Sequence, residues 1–423
     1  MTEPNATASR RAQFSWCFFD WANSAFPTVI VTFVFATYFT EHVAASKIEG
    51  TAQWGYALAL SGVAIALLSP VVGAIADKRG GRKPWIAFFS LVCVTCSGLL
   101  WFTLPDPAWI IWGLTFFALG NLSFEVGTVF YNSMLPTMVP QDRIGRLSGW
   151  GWGLGYFGGI ACLLVIWLVF ASPEIPPFGL DPTVMEQIRI AGPFVALWFF
   201  VFAYPLFLFT PDTNRSGLSL REAAGLGLSG IVKTIRSIRE HANIARFLLA
   251  RLFFIDGLNT LFAFGGIYAA GTFGMDFGEI LQFAIALNVA AGIGSMLFAW
   301  IDDRIGSRRT VMIALLGIIV VGTPILLVTS KTAFWVLALG IGIFMGPAQA
   351  ASRSLMARLA PPDQVTEMFG LFALSGKVTA FMGPAVLAWV TTIFASQRAG
   401  MTTVIVFIAI GAAIMVTVKE PEK

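Results

Sequence analysis

Asp77-Lys78-Arg79-Gly80-Gly81-Arg82-Lys83 lies between two long apolar runs, 53–76 and 84–104. Asp303-Arg304-Ile305-Gly306-Ser307-Arg308-Arg309 lies between two more, 279–301 and 310–329. Acid, glycine and basic pair fall at the same spacing in both turns. Other segments repeat in the same order. Asp20, Asn23, Ser24 and Phe26 match Asp256, Asn259, Thr260 and Phe262. Asn132-Ser133-Met134-Leu135 matches Arg353-Ser354-Leu355-Met356, and Gly149 and Gly155 align with Gly370 and Gly376. Such self-similarity marks a duplicated unit.

The composition says what is duplicated. Of 423 residues, 57% are hydrophobic and 12% charged, where soluble domains carry about 25% charged residues. Mean hydropathy is +0.78. A membrane span needs about 20 apolar residues. Twelve runs qualify: 14–40, 53–76, 84–104, 108–134, 146–171, 190–210, 244–272, 279–301, 310–329, 332–357, 365–394 and 400–418. With the N-terminus inside, 19 Lys and Arg fall on inner segments and 4 on outer ones. That bias places both termini in the cytoplasm, and it accounts for the net charge of +4 without a nucleic-acid partner. Met1 to Arg11 is polar and no cleavable signal peptide is expected.

The expected fold is an all-α membrane protein with twelve transmembrane helices in two six-helix bundles. A pseudo-two-fold axis along the membrane normal relates them, with the site between them. The expected divisions are an N-terminal half 1–210, a linker 211–243 and a C-terminal half 244–423. In the linker, Ile231, Ile235 and Ile238 share a helical face while Lys233, Arg236 and Arg239 are basic. This pattern predicts an interfacial helix on the anionic inner leaflet.

Six charges fall inside the apolar runs: Asp20, Glu125 and Asp256 against Arg251, Arg353 and Lys377. A charge at mid-bilayer costs roughly 2.5–3.5 kcal/mol on insertion scales, so such groups are expected to face a water-filled path. Their signs balance, which suits a zwitterion or a neutral polar solute. Asn121, Glu125, Thr128 and Asn132 form one stripe on span 4. Glu125 is the foremost candidate for proton coupling. Asp20, Asn23 and Ser24 share a face of span 1, where Pro27 is expected to bend the helix. Asp256 and Asn259 repeat that face on span 7, and the repeat implies a shared role for Asp20 and Asp256. Arg251 lies near the inner end of span 7, where a long side chain can snorkel. Gln349 and Arg353 share a face of span 10, and Arg353 suits bidentate carboxylate binding. Lys377 lies near mid-membrane in span 11. Tyr131, Trp150, Trp152 and Tyr156 are the aromatic cavity candidates.

Gly73-x-x-x-Asp77-Lys78-x-Gly80-x-Arg82-Lys83 resembles the signature loop of the major facilitator superfamily. The second copy departs from it, with Ala299 where the first glycine would be. Within that superfamily several segments resemble the autophagy-related vacuolar effluxer-like permeases. These are Phe19-Asp20-Trp21-Ala22-Asn23-Ser24-Ala25-Phe26, Phe130-Tyr131-Asn132, Ser148-Gly149-Trp150-Gly151, Ser352-Arg353-Ser354 and Ser375-Gly376-Lys377. The resemblance implies a twelve-helix permease and, for eukaryotic members, an association with amino-acid efflux. It assigns Asp77, Arg82, Lys83, Asp303, Arg308 and Arg309 to cytoplasmic gating loops.

The expected function is alternating-access transport of a small polar solute, an amino acid or related zwitterion first. Arg353 and Lys377 would take the carboxylate, and Asp20, Glu125 or Asp256 the amine or a coupling proton. The alternatives are an exporter of amphipathic compounds and a non-transporting receptor or scaffold. No enzyme signature, cofactor or metal cluster is expected: His42 and His241 are the two histidines, and the four cysteines fall within spans. Expected partners are the solute, protons and membrane lipids. The chain is expected to act as a monomer in the inner membrane of a bacterium.

Overall fold

The computed structural model describes residues 7–236 and 241–421. Twelve helical segments among them are long and apolar enough to cross a membrane. Spans 1–6 are Arg10–Val43, Lys47–Arg79, Lys83–Phe102, Pro107–Met138, Gln141–Ala171 and Glu186–Phe209. Spans 7–12 are Ala242–Phe273, Gly278–Ile305, Ser307–Ile325, Lys331–Leu359, Val365–Phe394 and Gln397–Met415. The count and order match the apolar runs. Several helices outrun their apolar core because polar residues cap them. Ser46, Asp276, Ser330 and Ser396 each accept a backbone N–H of the following first turn, relieving donors that have no partner inside the helix.

The two basic turns owe their sharpness to their shared glycine. Gly80 and Gly306 close spans 2 and 8 with φ of 71° and 94°, a region open to glycine at little cost. A linker helix, Leu220–Arg236, packs against span 2. Ile238 and Arg239 of the predicted interfacial helix lie outside the described residues.

Two spans depart from plain helix. Span 1 changes to π-helical turns at Phe26–Phe33, which Pro27 opens, and again at Phe39–Val43. Span 11 is broken between Val365–Lys377 and Met382–Phe394. Pro384 supplies the cause: it has no N–H for the Ala380 carbonyl, and its ring crowds that carbonyl.

Spans 1–6 pack among themselves, as do spans 7–12. Between the two sets, span 2 lies against span 11 and span 5 against span 8, with further contact of span 5 with 10 and span 4 with 11. Exchanging the halves converts the first pair into the second. Glycines permit both approaches. A Cβ on Gly370 would sit 2.5 Å from the Ser69 carbonyl oxygen, and one on Gly149 would sit 2.6 Å from Ala299 Cβ. The next aligned pair faces inward. Gly155 abuts Ser24 and Asp20 of span 1, and Gly376 abuts Arg251 of span 7.

Span 5 also grips its own half through glycine, since a Cβ on Gly158 would lie 2.7 Å from Trp21 Cα. Gly158→Val should therefore lower apparent stability by about 1–3 kcal/mol, the usual range for overpacking. Gly62→Val, where a Cβ meets nothing within 4 Å, should be near neutral. Thermal unfolding in detergent compares them, and equal effects would contradict this packing.

Candidate functional site

The charges in the spans gather where the two halves meet. Arg353 of span 10 has no exposed surface. Its Nη1 donates to Asp20 Oδ2 of span 1 at 2.9 Å and to Asn132 Oδ1 of span 4 at 3.2 Å. Nε donates to Ser148 Oγ at 2.9 Å and Nη2 to the Ser148 carbonyl at 2.7 Å, both in span 5. The guanidinium also lies 4.9 Å from the ring centroids of Trp16 and Trp152. Trp16 and Tyr131 stack at 4.4 Å and exchange side-chain-to-backbone hydrogen bonds. This is a dry bolt from one half into the other. Gly151 makes room for it, since a Cβ there would sit 2.7 Å from Asp20 Oδ2.

That geometry corrects the expectation for Arg353. Four of its five N–H groups are spent on protein acceptors, so in this conformation it presents no fork to a solute carboxylate. Asn132 and Asp20 belong to the same dry contact. Asn23 is likewise buried, with Ser24 Oγ 3.4 Å from its Oδ1.

One helical turn along span 10, Gln349 Nε2 donates to Tyr156 Oη of span 5 at 3.0 Å, and both residues are half-buried. On span 4, Glu125 lies seven residues before Asn132, about 10 Å along the helix at 1.5 Å per residue. Its Oε1 meets Lys377 Nζ of span 11 at 2.6 Å. The side chains are 23% and 29% exposed. A pair bonded across the seam faces the seam, so at this level the seam is open, whereas at Arg353 it is closed. The rest of the span 4 stripe turns inward: Asn121 donates to Ser61 Oγ of span 2, and Thr128 to the Phe124 carbonyl of its own helix.

Arg251 does not snorkel. It is buried, lies over the Phe372 ring, and donates to the Phe372 carbonyl at 2.7 Å and Ser375 Oγ at 2.8 Å. These acceptors on span 11 hold its Nη1 inward, while its Nε is buried without a partner. Nor do Asp20 and Asp256 share a role. Asp20 crosses to the other half, whereas Asp256 stays in its own, where its Oδ2 accepts the Gly383 N–H at 2.9 Å. The equivalent of Arg353 in the first half is Asn132, which carries no charge to attract Asp256. Asn259 is exposed on the next turn of span 7. Trp150 is also exposed and packs edge-on to Trp300, and Tyr131 is fully buried. Neither lines the open level of the seam.

The basic turns close the same end of the seam as the bolt. Asp77 accepts the backbone N–H groups of Thr366 and Glu367 at 3.0 and 2.8 Å, capping span 11 of the opposite half. Asp303 accepts the Arg146 N–H at 3.2 Å and caps span 5 in the same way. Carboxylates suit helix N-termini because unpaired N–H groups converge there. The bases of the turns work within their own halves. Lys83 bonds the Phe207 and Thr210 carbonyls ending span 6, and Arg308 the Met415 and Val416 carbonyls ending span 12. Asp212 accepts from the Arg82 and Lys83 N–H groups, as Glu420 does from Ser307 and Arg308. Burial pulls the Arg82 guanidinium below its ordinary value, against the pull of Asp77 and Asp212. Arg309 is exposed. Arg358, not singled out from sequence, bonds Asp302 at 2.6 Å and the Gln141 carbonyl of the other half at 3.3–3.4 Å. Ser148 also escaped sequence reasoning as a partner of Arg353, although it stands in the Ser-Gly-Trp-Gly segment.

Removing one partner of a buried ion pair strands the other charge, typically at about 3–5 kcal/mol. Asp20→Ala should lose that much apparent stability, and Asp20→Ala combined with Arg353→Met should recover most of it. A double-mutant cycle on detergent unfolding measures the coupling, and a coupling near zero would remove the bolt.

Comparison with known proteins fits this arrangement. A family model described as "Vacuole effluxer Atg22 like" matches residues 42–423. The uncharacterized MFS-type transporter YxiO of Bacillus subtilis (strain 168) is 26% identical over 413 residues, which cover 96% of this chain and 94% of YxiO. Autophagy-related protein 22 of Cryptococcus neoformans var. neoformans serotype D (strain JEC21 / ATCC MYA-565) is 24% identical over 285 residues. That match covers 63% of this chain and 48% of the fungal protein, so the matched stretch spans about half of that relative. Among solved structures, the major facilitator transporter FucP in its outward conformation superposes with TM-score 0.73 at 15% identity, over 97% of this chain and 99% of FucP. The human organic anion transporter MFSD10 does so with TM-score 0.73 at 16% identity, over 96% and 99%. At such identities the structures speak for the fold alone, that of the major facilitator superfamily.

Proposed function

Because this chain belongs to the Vacuole effluxer Atg22 like family of the major facilitator superfamily, we propose that it carries an amino acid or related zwitterion across a membrane by alternating access, coupled to protons. One observation carries the substrate class. Where the seam is open, an acid of one half and a base of the other are in contact and partly exposed. A zwitterion can replace that contact with two of its own. Its ammonium would take Glu125 and its carboxylate Lys377, with the buried Arg251 Nε, which has no partner, reinforcing the carboxylate end. Exchanging one ion pair for two keeps the charges neutralised in a place where unpaired charge is costly. Gln349 and Tyr156 would border the solute toward the bolt, and the Asp20–Arg353 contact would act as the gate.

The basic turns would face the cytoplasm, following the loop bias, in the inner membrane of a bacterium. In that orientation the bolted conformation is open outward. The complete seam lies within one chain, so a monomer suffices. Divisions near 210 and 243 would let the halves rock as bodies.

Counterflow of the twenty radiolabelled amino acids in proteoliposomes tests this. Glu125→Gln and Lys377→Gln should each slow exchange of the accepted solute by about 10-fold or more, as expected for losing a charge-assisted hydrogen bond of about 1.5–3 kcal/mol. The exchanged pair, Glu125→Lys with Lys377→Glu, should recover part of the rate. Wild-type rates in both single variants would refute the assignment.

A further inference from the structure

Span 7 holds the two pieces of span 11 on either side of its break. Arg251 binds the end of the first piece, through the Phe372 carbonyl and Ser375 Oγ. Asp256, five residues on, binds the start of the second through the Gly383 N–H. Each charge has the sign that the helix end it touches favours. The two are served unequally.

Asp256 is 2% exposed, and its Oδ1 is buried without a hydrogen-bond partner. The start of the second piece has no second donor to offer. The Met382 N–H donates to the Thr379 carbonyl at 2.7 Å, and Pro384 has no N–H. The Thr260 hydroxyl, next to the same carboxyl, donates to the Asp256 carbonyl at 2.8 Å. Three charged groups lie within the interiors of the elements packed on span 7. Arg251 of its own helix is committed to span 11, Lys377 of span 11 to Glu125, and Arg353 of span 10 to Asp20. Those packed elements, spans 8, 10, 11 and 12, carry their other charges toward their ends: Glu279, Lys331 and Arg398 at one end of the bundle, and Asp302, Asp303, Arg304, Arg358 and Glu367 at the other. Asp256 thus has one donor for two oxygens and no counter-ion. A buried carboxylate in that position is neutralised most simply by a proton.

We propose that Asp256 is the proton-coupling site, protonated on Oδ1 while span 11 is broken at 378–381 and deprotonated when that segment rearranges. Thr260 Oγ1 flanks the same point beside Gly383 as Oδ1 does, and is the acceptor to which an Oδ1–H would turn. A Cβ placed on Gly383 would fall against Thr260 Oγ1 and 3.2 Å from Asp256 Oδ1, so both border one point that only a glycine leaves free. Loss of the proton leaves a carboxylate needing a second donor. The nearest one on the second piece is the Met382 N–H, which becomes available only when its bond to Thr379 breaks. Charge on Asp256 is thereby tied to the shape of the break, and Lys377 is the last helical residue before it. An alkali ion is a poor alternative, because one free carboxylate oxygen and one hydroxyl supply too few ligands.

The coupling half of this proposal rests on the transport reading above, and the proton-binding half does not. Potentiometric titration of detergent-purified protein, without solute, tests the latter. Between pH 8 and pH 5 wild type should take up about one proton per chain more than Asp256→Asn, and Asp256→Glu should restore that uptake. Equal uptake by wild type and Asp256→Asn would overturn the proposal. In proteoliposomes, Asp256→Asn should retain counterflow of the accepted amino acid while losing accumulation driven by a pH gradient. Retained pH-driven accumulation, or accumulation driven by a sodium gradient in wild type, would also overturn it. Absence of counterflow in wild type would instead count against the transport reading and leave the titration to decide the proton site.

Discussion

A guanidinium that cannot lose its charge has been placed where it has no exposed surface. Arg353 tolerates this because Asp20, Asn132 and Ser148 surround it, and all three belong to the other half of the molecule. Burial of the charge is therefore conditional on the halves touching at that end. Everything else at that end follows the same rule. Asp77 caps a helix of the opposite half, Asp303 caps its counterpart, and Arg358 reaches the Gln141 carbonyl across the seam. Electrostatics, not apolar packing, decides which end is shut.

The duplication is kept where it builds each half and broken where the halves differ in task. Asp212 and Glu420 play matching parts at the starts of spans 3 and 9, and Lys83 and Arg308 tie matching carbonyls. Symmetry fails at spans 1 and 7. Asp20 is drawn across the seam by an arginine, and its repeat Asp256 has only an asparagine opposite and turns to its own span 11. One substitution between the copies, Asn132 against Arg353, separates an ion pair across the seam from a lone buried acid.

Hydropathy and loop charge carried the fold, because lipid forces each apolar run into a helix and the basic turns to one side. The capping acids of the turns were legible too, since Asp77 and Asp303 recur at fixed spacing. Partners were not. Asp20 and Arg353 stand at opposite ends of the chain, and nothing local to either says that the other completes it. Arg251 read as a residue near a helix end, yet carbonyls of span 11 hold it inward. The break in span 11 was hidden for a related reason. Pro70, Pro205 and Pro347 sit inside helices that continue through them, so Pro384 alone gives no warning. It breaks the helix in company with Gly383 and an acid ready to receive the freed N–H.

The glycines along span 5 bear on kinetics. Gly145, Gly149 and Gly153 meet span 8 with bare backbone, so at these three positions span 5 carries no side chain that must change rotamer for the surfaces to separate. Contact of that kind gives way gradually over short distances. The activation barrier to parting the halves should then reside in a few discrete polar links, which makes opening an all-or-none event whose rate a single charge can set.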